Sequence, residues 1–320
     1  MNLFSALTGV TSVTKDADGS VTGCMLDQYN EVDTACGRLV PKWQDENVRR
    51  KNIPSLSFYP DGALKAVYLD VQLQVKTPLG EYPAEFVTFY PSGTLCRVFP
   101  VNGKISGYWS QEDEAELCPQ LSFRLPCGSF RAKLISLHFY ESGALRSLAL
   151  WPGEFIVLRT NVGVIPARGG AAFYEDGSLE SVEPPHPLPV ETPVGVLTAF
   201  DSTALNIHGD KNSLSFYPDS TMRSITTSSD RVEVILPDHS TVVYAPVKRP
   251  DPLLEDRTII EPLRLSFDKG LVTLENGEDS GTYSLSDCCF RTFTQEGGST
   301  EALRQSPTTC GDCSTCNLCG

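Results

Sequence analysis

The sequence is short of positive charge, with 26 Lys and Arg against 40 Asp and Glu and a formal net charge of −14. Binding to nucleic acid or to an anionic membrane surface needs clustered basic residues, so neither partner is favoured. Apolar runs are also short, and none approaches the roughly 18 residues of a membrane-spanning helix. Residues 1–16 have no basic stretch ahead of their apolar segment, which argues against a secretory signal. We therefore expect a soluble, cytoplasmic protein.

Several motifs for catalysis and cofactor binding are missing as well. No Gly-x-Gly-x-x-Gly opens a helix, there is no Gly-Lys-Ser/Thr phosphate loop, and no acidic loop has EF-hand spacing. The four histidines are His138, His186, His208 and His239, and none forms a metal-binding pair at helical or strand spacing. We expect His138 to lie on the solvent face of a strand. Nucleotide-dependent enzymes, calcium binding and catalysis by a histidine triad are all disfavoured.

What the sequence does have is an internal repeat. Five segments share the pattern Phe-Tyr-x-x-Gly-x-Leu or a close variant of it, and each is followed three residues later by an apolar residue. The segments are Phe58–Leu64, Phe89–Leu95, Phe139–Leu145, Phe173–Leu179 and Phe216–Met222. Alternating apolar and polar residues before each segment are typical of a half-buried strand. The repeat therefore predicts a series of β-hairpins.

The turn chemistry of these segments supports the hairpin prediction. Pro presets a turn φ, and Gly takes the left-handed conformation that closes the loop. Ser220 stands where the other four segments have Gly. A non-Gly residue in the left-handed conformation costs about 1 kcal/mol, so this turn is expected to be strained or differently shaped. Weaker copies of the pattern occur at Asp16–Val21 and Phe267–Leu271.

A second strand–turn–strand signature alternates with the first. Its turns are Thr77-Pro-Leu-Gly80, Leu125-Pro-Cys-Gly128, Thr160-Asn-Val-Gly163 and Thr192-Pro-Val-Gly195. No segment keeps a 3.6-residue apolar period beyond two turns, so helices should be few; Gln111–Glu116 is an acidic loop or a single helical turn. We predict an all-β fold, an elongated, meandering antiparallel sheet of repeated hairpins. Residues 1–297 form one array, stabilised by contacts between neighbouring hairpins, and residues 298–320 form a flexible tail.

The hairpin pattern, together with the stretch from Phe89 to Trp109, resembles the bacterial variant of the MORN repeat found in YwqK-like antitoxin proteins. The resemblance covers roughly residues 55–230, and only Asn102-Gly-Lys-Ile-Ser-Gly107 carries the second half of that family's motif. It implies a repeated hairpin sheet used for interaction or as a scaffold. It supplies no catalytic residues.

The recurrent Phe-Tyr pairs leave two interpretations open. Adjacent strand residues point to opposite faces, so Phe58 builds the core while Tyr59 belongs to a second face. The tyrosines then either pack across strands or form an aromatic surface for a peptide or glycan. Acidic stretches such as Glu112-Asp113-Glu114 are interpreted as solvated loops.

Eleven cysteines are too many, and odd in number, for a complete disulfide framework. Cys24, Cys36, Cys96, Cys118 and Cys127 lie in apolar or turn surroundings, where cysteine usually acts as a small buried hydrophobe. Cys288 and Cys289 are adjacent in a strand-like setting. We expect one of these two thiols to be buried and the other exposed, and a contribution to a metal site is the alternative.

The sharpest chemical signal is the run of Cys310, Cys313, Cys316 and Cys319. Four thiolates spaced in this way can converge on a tetrahedral zinc ion or an iron–sulfur cluster. The spacing departs from the bacterial ferredoxin pattern, and a thiol-exchange tail or a tail without cofactor are the alternatives. Residues 295–309, rich in Gly, Ser, Thr and Gln, are typical of a flexible tether.

These observations lead to one functional expectation and two alternatives. We expect a non-enzymatic repeat scaffold that binds a protein partner and carries a metal or iron–sulfur cluster on its four-Cys tail. The first alternative is an electron-transfer or metallocluster-maturation factor, in which the tail is the functional centre. The second is a carbohydrate-active enzyme whose site lies in loops 103–120 and 183–212.

Overall fold

The prediction of an all-β fold with few helices is confirmed. The structure, a computed structural model, describes residues 3–44, 48–50, 52–104, 106, 108–160, 163–204, 212–250, 258–277, 279–296 and 299–302. Strands account for 59% of the described residues and helices for 5%. The helices among the described residues are α1 (Leu3–Ala6), α2 (Gln111–Leu117) and a single 3₁₀ turn at Val48–Arg50.

Twelve strands precede residue 151. They are β1 (Val10–Lys15), β2 (Val21–Leu26), β3 (Val32–Thr34), β4 (Gly37–Leu39), β5 (Leu56–Phe58), β6 (Leu64–Thr77), β7 (Gly80–Phe89), β8 (Leu95–Phe99), β9 (Leu121–Leu125), β10 (Gly128–Ala132), β11 (Leu134–Phe139) and β12 (Leu145–Leu150).

Sixteen further strands follow among the described residues. They are β13 (Phe155–Thr160), β14 (Gly163–Phe173), β15 (Leu179–Glu183), β16 (Leu188–Thr192), β17 (Gly195–Ala199), β18 (Leu214–Phe216), β19 (Met222–Thr227), β20 (Asp230–Ile235), β21 (Thr241–Tyr244), β22 (Val247–Pro250), β23 (Thr258–Glu261), β24 (Leu263–Asp268), β25 (Leu271–Glu275), β26 (Ser280–Ser284), β27 (Cys289–Glu296) and β28 (Ser299–Ala302).

The chain divides into two compact units. Unit 1 is Met1–Ile156 with Phe173–Gly177, and unit 2 is Val157–Ala172 with Ser178–Gly320. In unit 1 the main sheet runs β1-β2-β5-β6-β7-β8-β11-β12, with β3–β4 and β9–β10 as side hairpins. In unit 2 it runs β14-β15-β18-β19-β24-β25-β26, beside the sheet β21-β20-β27-β28 and the hairpins β16–β17 and β22–β23. Folding of residues 1–297 as one array stays a prediction.

One buried row of side chains crosses each main sheet because neighbouring strands are held in register. In unit 1 the row pairs Cys24, Leu56, Val67, Val87, Val98, Leu137 and Leu148 in turn. In unit 2 it pairs Val182, Leu214, Ile225, Leu265 and Leu274. All twelve side chains are at most 2% exposed. These two core rows explain the apolar residue that recurs three positions after each repeat.

The two residues of each Phe-Tyr pair have different roles. The phenylalanines are buried, with Phe58, Phe89 and Phe139 at most 3% exposed. Four of the repeat tyrosines donate a hydroxyl hydrogen bond to the carbonyl of a phenylalanine in a following hairpin. These bonds join Tyr59 to Phe89 (2.9 Å), Tyr90 to Phe139 (2.7 Å), Tyr140 to Phe173 (3.0 Å) and Tyr217 to Phe267 (2.8 Å). The repeated tyrosines thus link successive hairpins, which supports cross-strand packing.

The second repeated turn is closed by a threonine. The Thr77 hydroxyl donates to the carbonyl of Gly80 at 2.8 Å, and Thr192 does the same to Gly195 at 2.6 Å. Sequence reasoning missed one copy, Thr34-Ala-Cys-Gly37, in which the same bond is 2.7 Å. Its signal was the Thr-x-x-Gly spacing itself.

The two kinds of turn also pack against each other. A Cβ atom added at Gly143 would lie 3.3 Å from Cγ of Pro78, which belongs to the second kind of turn. Pro126 approaches Gly177 in the same way at 3.9 Å. Because proline has a rigid ring and glycine has no side chain, this contact explains why the two signatures alternate along the sequence.

The turn with Ser220 has the same shape as its glycine counterparts and is therefore strained. The Ser220 amide donates a hydrogen bond to the backbone carbonyl of Tyr217 at 2.8 Å, as the Gly62 amide does to the backbone carbonyl of Tyr59 at 2.9 Å. Ser220 has φ 69°, close to the 83° of Gly62. His239 occupies the same position of a related turn, with φ 66°. Both residues have a left-handed backbone conformation, which is favourable for glycine and strained for other residues.

We expect Ser220→Gly to raise the free energy of unfolding, by up to about 1 kcal/mol, because glycine relieves this strain at some cost in unfolded-state entropy. Urea or thermal unfolding measures the change. The matched control is Ser92→Gly. Ser92 lies in a hairpin turn but does not have a positive φ, so glycine relieves no strain there and should lower the free energy of unfolding. A loss of stability in Ser220→Gly equal to that of the control would contradict the strain.

Candidate functional site

An open groove of about 690 Å³ lies on the second face of the unit 1 sheet, opposite the core row. We call it the groove. Its floor and walls come from β2, β5, β6, β7 and β8 and from the turns that join them. The lining residues are Asp16, Thr22, Ser57, Phe58, Tyr59, Pro60, Lys65, Ala66, Tyr68, Phe86, Thr88, Phe89, Cys96 and Arg97.

The rings of Tyr68 and Phe86 form one wall of the groove, and Phe99, which is not in the lining, continues the aromatic cluster on the same face. Tyr68, Phe86 and Phe99 are paired across β6, β7 and β8, so their side chains leave the same face of the sheet. The Tyr68 and Phe86 rings are stacked, with centroids 4.3 Å apart, and Phe86 lies 4.9 Å from Phe99. All three are half-buried. The wall therefore offers flat apolar surface that is held in place by stacking.

Two cations stand beside this wall. Phe58 pairs with Leu64 and Ser57 with Ala66, which leaves Lys65 as the extra residue of a β-bulge. The Lys65 ammonium lies 5.6 Å from the centre of the Tyr59 ring. Arg97 follows on β8, where it pairs with Thr88. Asp16 also lines the groove, and its Oδ1 accepts the backbone amides of Asp18 and Ser20, so the three charged lining residues sum to +1.

Cys96 occupies the bulge position that holds Lys65 in the first hairpin and Arg146 in the third. Its thiol is free and half-buried, whereas Cys24, Cys36 and Cys118 are free and buried. Burial, followed by the neighbouring Cys96, raises the pKa of Tyr59 and of Tyr90. Both tyrosines therefore remain protonated at neutral pH and keep donating to the next hairpin.

The arrangement of the groove suits binding. A flat apolar group can lie against Tyr68 and Phe86 while an anionic group on the same molecule meets Lys65 and Arg97. Sequence reasoning did not single out these residues. Alternation with the core row places them on the second face, but cross-strand register is needed to bring the rings together.

Loop 103–120, one of the two predicted enzyme loops, is tied to the sheet by a buried ion-pair cluster. Arg49 donates to both oxygens of Glu85, at 2.9 and 2.7 Å, and to both oxygens of Glu114, at 2.6 Å each. Trp109 Nε1 and the Gly103 amide also donate to Glu114, at 2.7 and 2.6 Å. All three charged side chains are at most 9% exposed.

The same cluster favours the ionised form of Glu114. Burial works against ionisation of Glu114, but the hydrogen bonds from Arg49, Trp109 and Gly103 outweigh it and lower the pKa below its ordinary 4.5. Glu85 and Glu114 do face each other, as two catalytic carboxylates would. Arg49 lies between them and engages all four oxygens, so the geometry is that of a structural tie.

The second predicted enzyme loop, 183–212, has its own buried acid in unit 2. Glu183 is fully buried and accepts the amide and hydroxyl of Ser213, at 2.7 and 2.6 Å, and the amide of Asp201 at 3.1 Å. Arg168 reaches the same carboxylate at 3.4 Å. Burial exceeds these stabilising contacts and raises the pKa of Glu183. Residues 205–211 of this loop lie outside the described residues.

The predicted metal ligands Cys310, Cys313, Cys316 and Cys319 all lie outside the described residues. Within the described part of the chain, no group of three or more His, Cys, Asp or Glu side chains is arranged to hold a metal ion. The scattered cysteines behave as expected in four cases out of five: Cys24, Cys36, Cys118 and Cys127 are buried. Burial raises the pKa of Cys24 and Cys118 to about 11, which makes them inert thiols.

The expectation for Cys288 and Cys289 is wrong, because both are buried, at 5% and 7% exposure. Cys288 lies before the first residue of β27, so strand alternation does not apply to the pair. Cys288 is a free thiol. Cys289 is disulfide-bonded.

The solvent-face expectation for His138 is also wrong. His138 lies on the second face of β11 as predicted by alternation, but it is 6% exposed. The hydroxyl of Tyr90, which reaches across to β11, lies 3.5 Å from its Nε2. His186 is exposed, His239 closes a turn, and His208 lies outside the described residues.

Comparison with known proteins yields no match to a family model, to a curated protein or to a solved structure. In the described part of the chain, no helix has the length and apolar character that a bilayer crossing demands.

We expect Arg49→Met to lower the free energy of unfolding by about 3–5 kcal/mol, because it leaves two buried carboxylates without their cation. Denaturant unfolding measures the loss. The matched control is Arg38→Met, whose ion pairs with Glu31 and Asp33 are exposed and screened by solvent, so the substitution should change stability little. Equal effects of the two substitutions would contradict the structural role of the cluster.

The cluster also predicts a pH dependence. A carboxyl whose pKa is lower in the folded than in the unfolded state adds stability above its unfolded value, and that stability is lost as the pH falls through the folded value. Glu114 is such a group, so its contribution is complete above about pH 5 and declines in more acidic solution. Unfolding at several pH values should show a shallower acid decline in Arg49→Met.

Proposed function

We propose that this protein is a non-enzymatic repeat scaffold that binds a protein partner on its unit 1 sheet and carries a metal or an iron–sulfur cluster on its four-Cys segment. The observation that carries the first half is the groove, in which a stacked aromatic wall stands beside Lys65 and Arg97 on an otherwise acidic protein. Binding surfaces on rigid scaffolds are commonly built from such aromatic and cationic side chains.

The way the sheet is tied together supports a scaffold role. Tyr59 and Tyr90 link the strands around the groove to the hairpins that follow. Side chains on this face are therefore held by backbone pairing, stacking and hydrogen bonds, and they need little ordering when a partner binds. The likeness of the turns to MORN-type repeats points the same way, and membership of that group is part of the proposal.

The metal-binding half rests on composition and spacing alone. Cys310, Cys313, Cys316 and Cys319 can supply four thiolates to one centre, and the polar residues 295–309 give that centre reach. Zinc would make it a structural or docking site. An iron–sulfur cluster would favour the electron-transfer or maturation role, in which this segment is the functional centre.

A truncation tests the metal-binding half. We expect anaerobically purified full-length protein to contain zinc, or iron with sulfide and visible absorption, and residues 1–306 to lack it. Elemental analysis and an absorption spectrum of both proteins give the answer, with thermal unfolding to show that the truncated chain stays folded. Metal-free full-length protein, after reconstitution with either metal, would contradict this half of the proposal.

Site-specific photo-cross-linking tests the scaffold half. We expect a photoreactive amino acid at Tyr68, inside the groove, to give a defined adduct in cells of the source, and the adduct to disappear when Lys65→Glu is added. The matched position is Tyr108, which is 91% exposed and lies outside the groove lining. Equal adducts from both positions, or none from Tyr68, would argue against a partner on this face.

A further inference from the structure

We propose that the groove recognises an extended peptide segment in which an aromatic residue and an acidic residue are separated by one position. This inference rests on the proposed scaffold function and names the chemistry of the segment that the partner presents. The segment lies along the strands, with its ring against Tyr68 and Phe86 and its carboxylate beside Lys65 and Arg97.

The spacing of the groove residues sets the spacing of the motif. On β6, Tyr68 lies two residues after Ala66. Ala66 pairs with Thr88 of β7, and Thr88 pairs with Arg97 of β8, so these three residues form one row across the sheet. Two residues along a strand span about 7 Å, so the aromatic wall and the row that ends in Arg97 are about that far apart. In an extended peptide, side chains on the same side also recur every two residues, about 7 Å apart. An aromatic-x-acidic order therefore matches the groove, whereas adjacent aromatic and acidic residues would point to opposite sides.

The local charge selects an anionic group. Lys65, exposed at its bulge, and the half-buried Arg97 outnumber the Asp16 carboxylate, so the charged residues of the groove lining sum to +1. The chain as a whole carries −14, so long anionic polymers and anionic membranes are repelled outside this small area.

The backbone indicates that side chains carry the recognition. The strands under the groove are paired on both sides, β5 with β2 and β6, β6 with β5 and β7, and β7 with β6 and β8. No edge is open there for a peptide to add a strand. The affinity therefore comes from ring contact, an exposed ion pair and the hydroxyls of Ser57 and Thr88, which is typical of weak and salt-sensitive binding.

Fluorescence anisotropy with defined peptides tests the inference on the full-length protein. The probe is a fluorescein-labelled Gly-Ser-Phe-Ser-Glu-Ser-Gly, and its matched isomer is Gly-Ser-Phe-Glu-Ser-Ser-Gly, which has the same composition. We expect the isomer to bind about fivefold or more weakly, because ring and carboxylate cannot face the groove together. A version with Gln for Glu should bind more weakly and lose the salt dependence.

Variants of the protein assign the binding to the groove. We expect Lys65→Gln with Arg97→Gln to weaken binding about tenfold. The control pair Lys76→Gln with Arg124→Gln removes the same charge from exposed positions of unit 1 outside the groove and should leave binding unchanged. Thermal unfolding shows that each variant is folded. As an independent readout, the peptide should slow alkylation of Cys96, followed by peptide mapping.

Four results would overturn the inference. Equal affinity for the two peptide isomers would show that the aromatic-x-acidic spacing is not recognised. An equal loss of affinity in the groove double variant and the control double variant would show that the peptide does not bind in the groove. Binding of phosphatidylserine vesicles with the same dependence on Lys65 and Arg97 would assign the groove to an anionic lipid surface instead. If no peptide binds while the Tyr68 adduct still forms, the scaffold proposal stands and the peptide motif is wrong; if the adduct is also missing, both are wrong.

Discussion

The hydrogen bond from a repeat tyrosine to the carbonyl of a phenylalanine in a following hairpin, made by four of the repeats, is the contact on which the architecture depends. A single hairpin is at best marginally stable in water, because it has too little core of its own. The Tyr–Phe bonds, such as Tyr90 to Phe139 at 2.7 Å, hold neighbouring hairpins in the register that stacks Val87, Val98 and Leu137 into the core row. The half-buried hydroxyls of Tyr59 and Tyr90 have raised pKa values, so they stay protonated and keep their bonds.

The same register creates the second face on which the groove lies. When Val67 and Val87 pair toward the core, Tyr68 and Phe86 must pair on the other side. In the first and third hairpins the extra residue of the β-bulge lies over the tyrosine ring, Lys65 over Tyr59 and Arg146 over Tyr140. A repeat that is constant in its core and turns thus varies at one surface position per hairpin, and this variation gives each part of the sheet its own charge.

Polar interactions inside the two units have a different role from those in the groove. Arg49 with its two glutamates and Glu183 with its serine and backbone donors are almost completely buried and satisfied, so they hold long loops onto the sheets. Glu114 and Glu183 fall in the two loops that sequence reasoning assigned to a possible enzyme site. The position of an acidic residue in a variable loop is enough to suggest a catalytic role. Only the hydrogen-bond donors around each carboxylate show that these acids hold the loops in place.

The amino-acid sequence by itself determined the hairpins, their turns and the residues that enter the core. Alternation and Gly placement are local properties, so Phe58, Val67 and Gly62 could be assigned without coordinates, and Ser220 could be recognised as a strained exception. Only the tertiary structure decided which side chains meet, because cross-strand partners such as Tyr68, Phe86 and Arg97 are far apart in sequence and are joined by register. Register also buried His138 beneath Tyr90, and the loop path brought Arg49 between Glu85 and Glu114. Contacts of that kind follow from the pairing of distant segments, which no local pattern encodes.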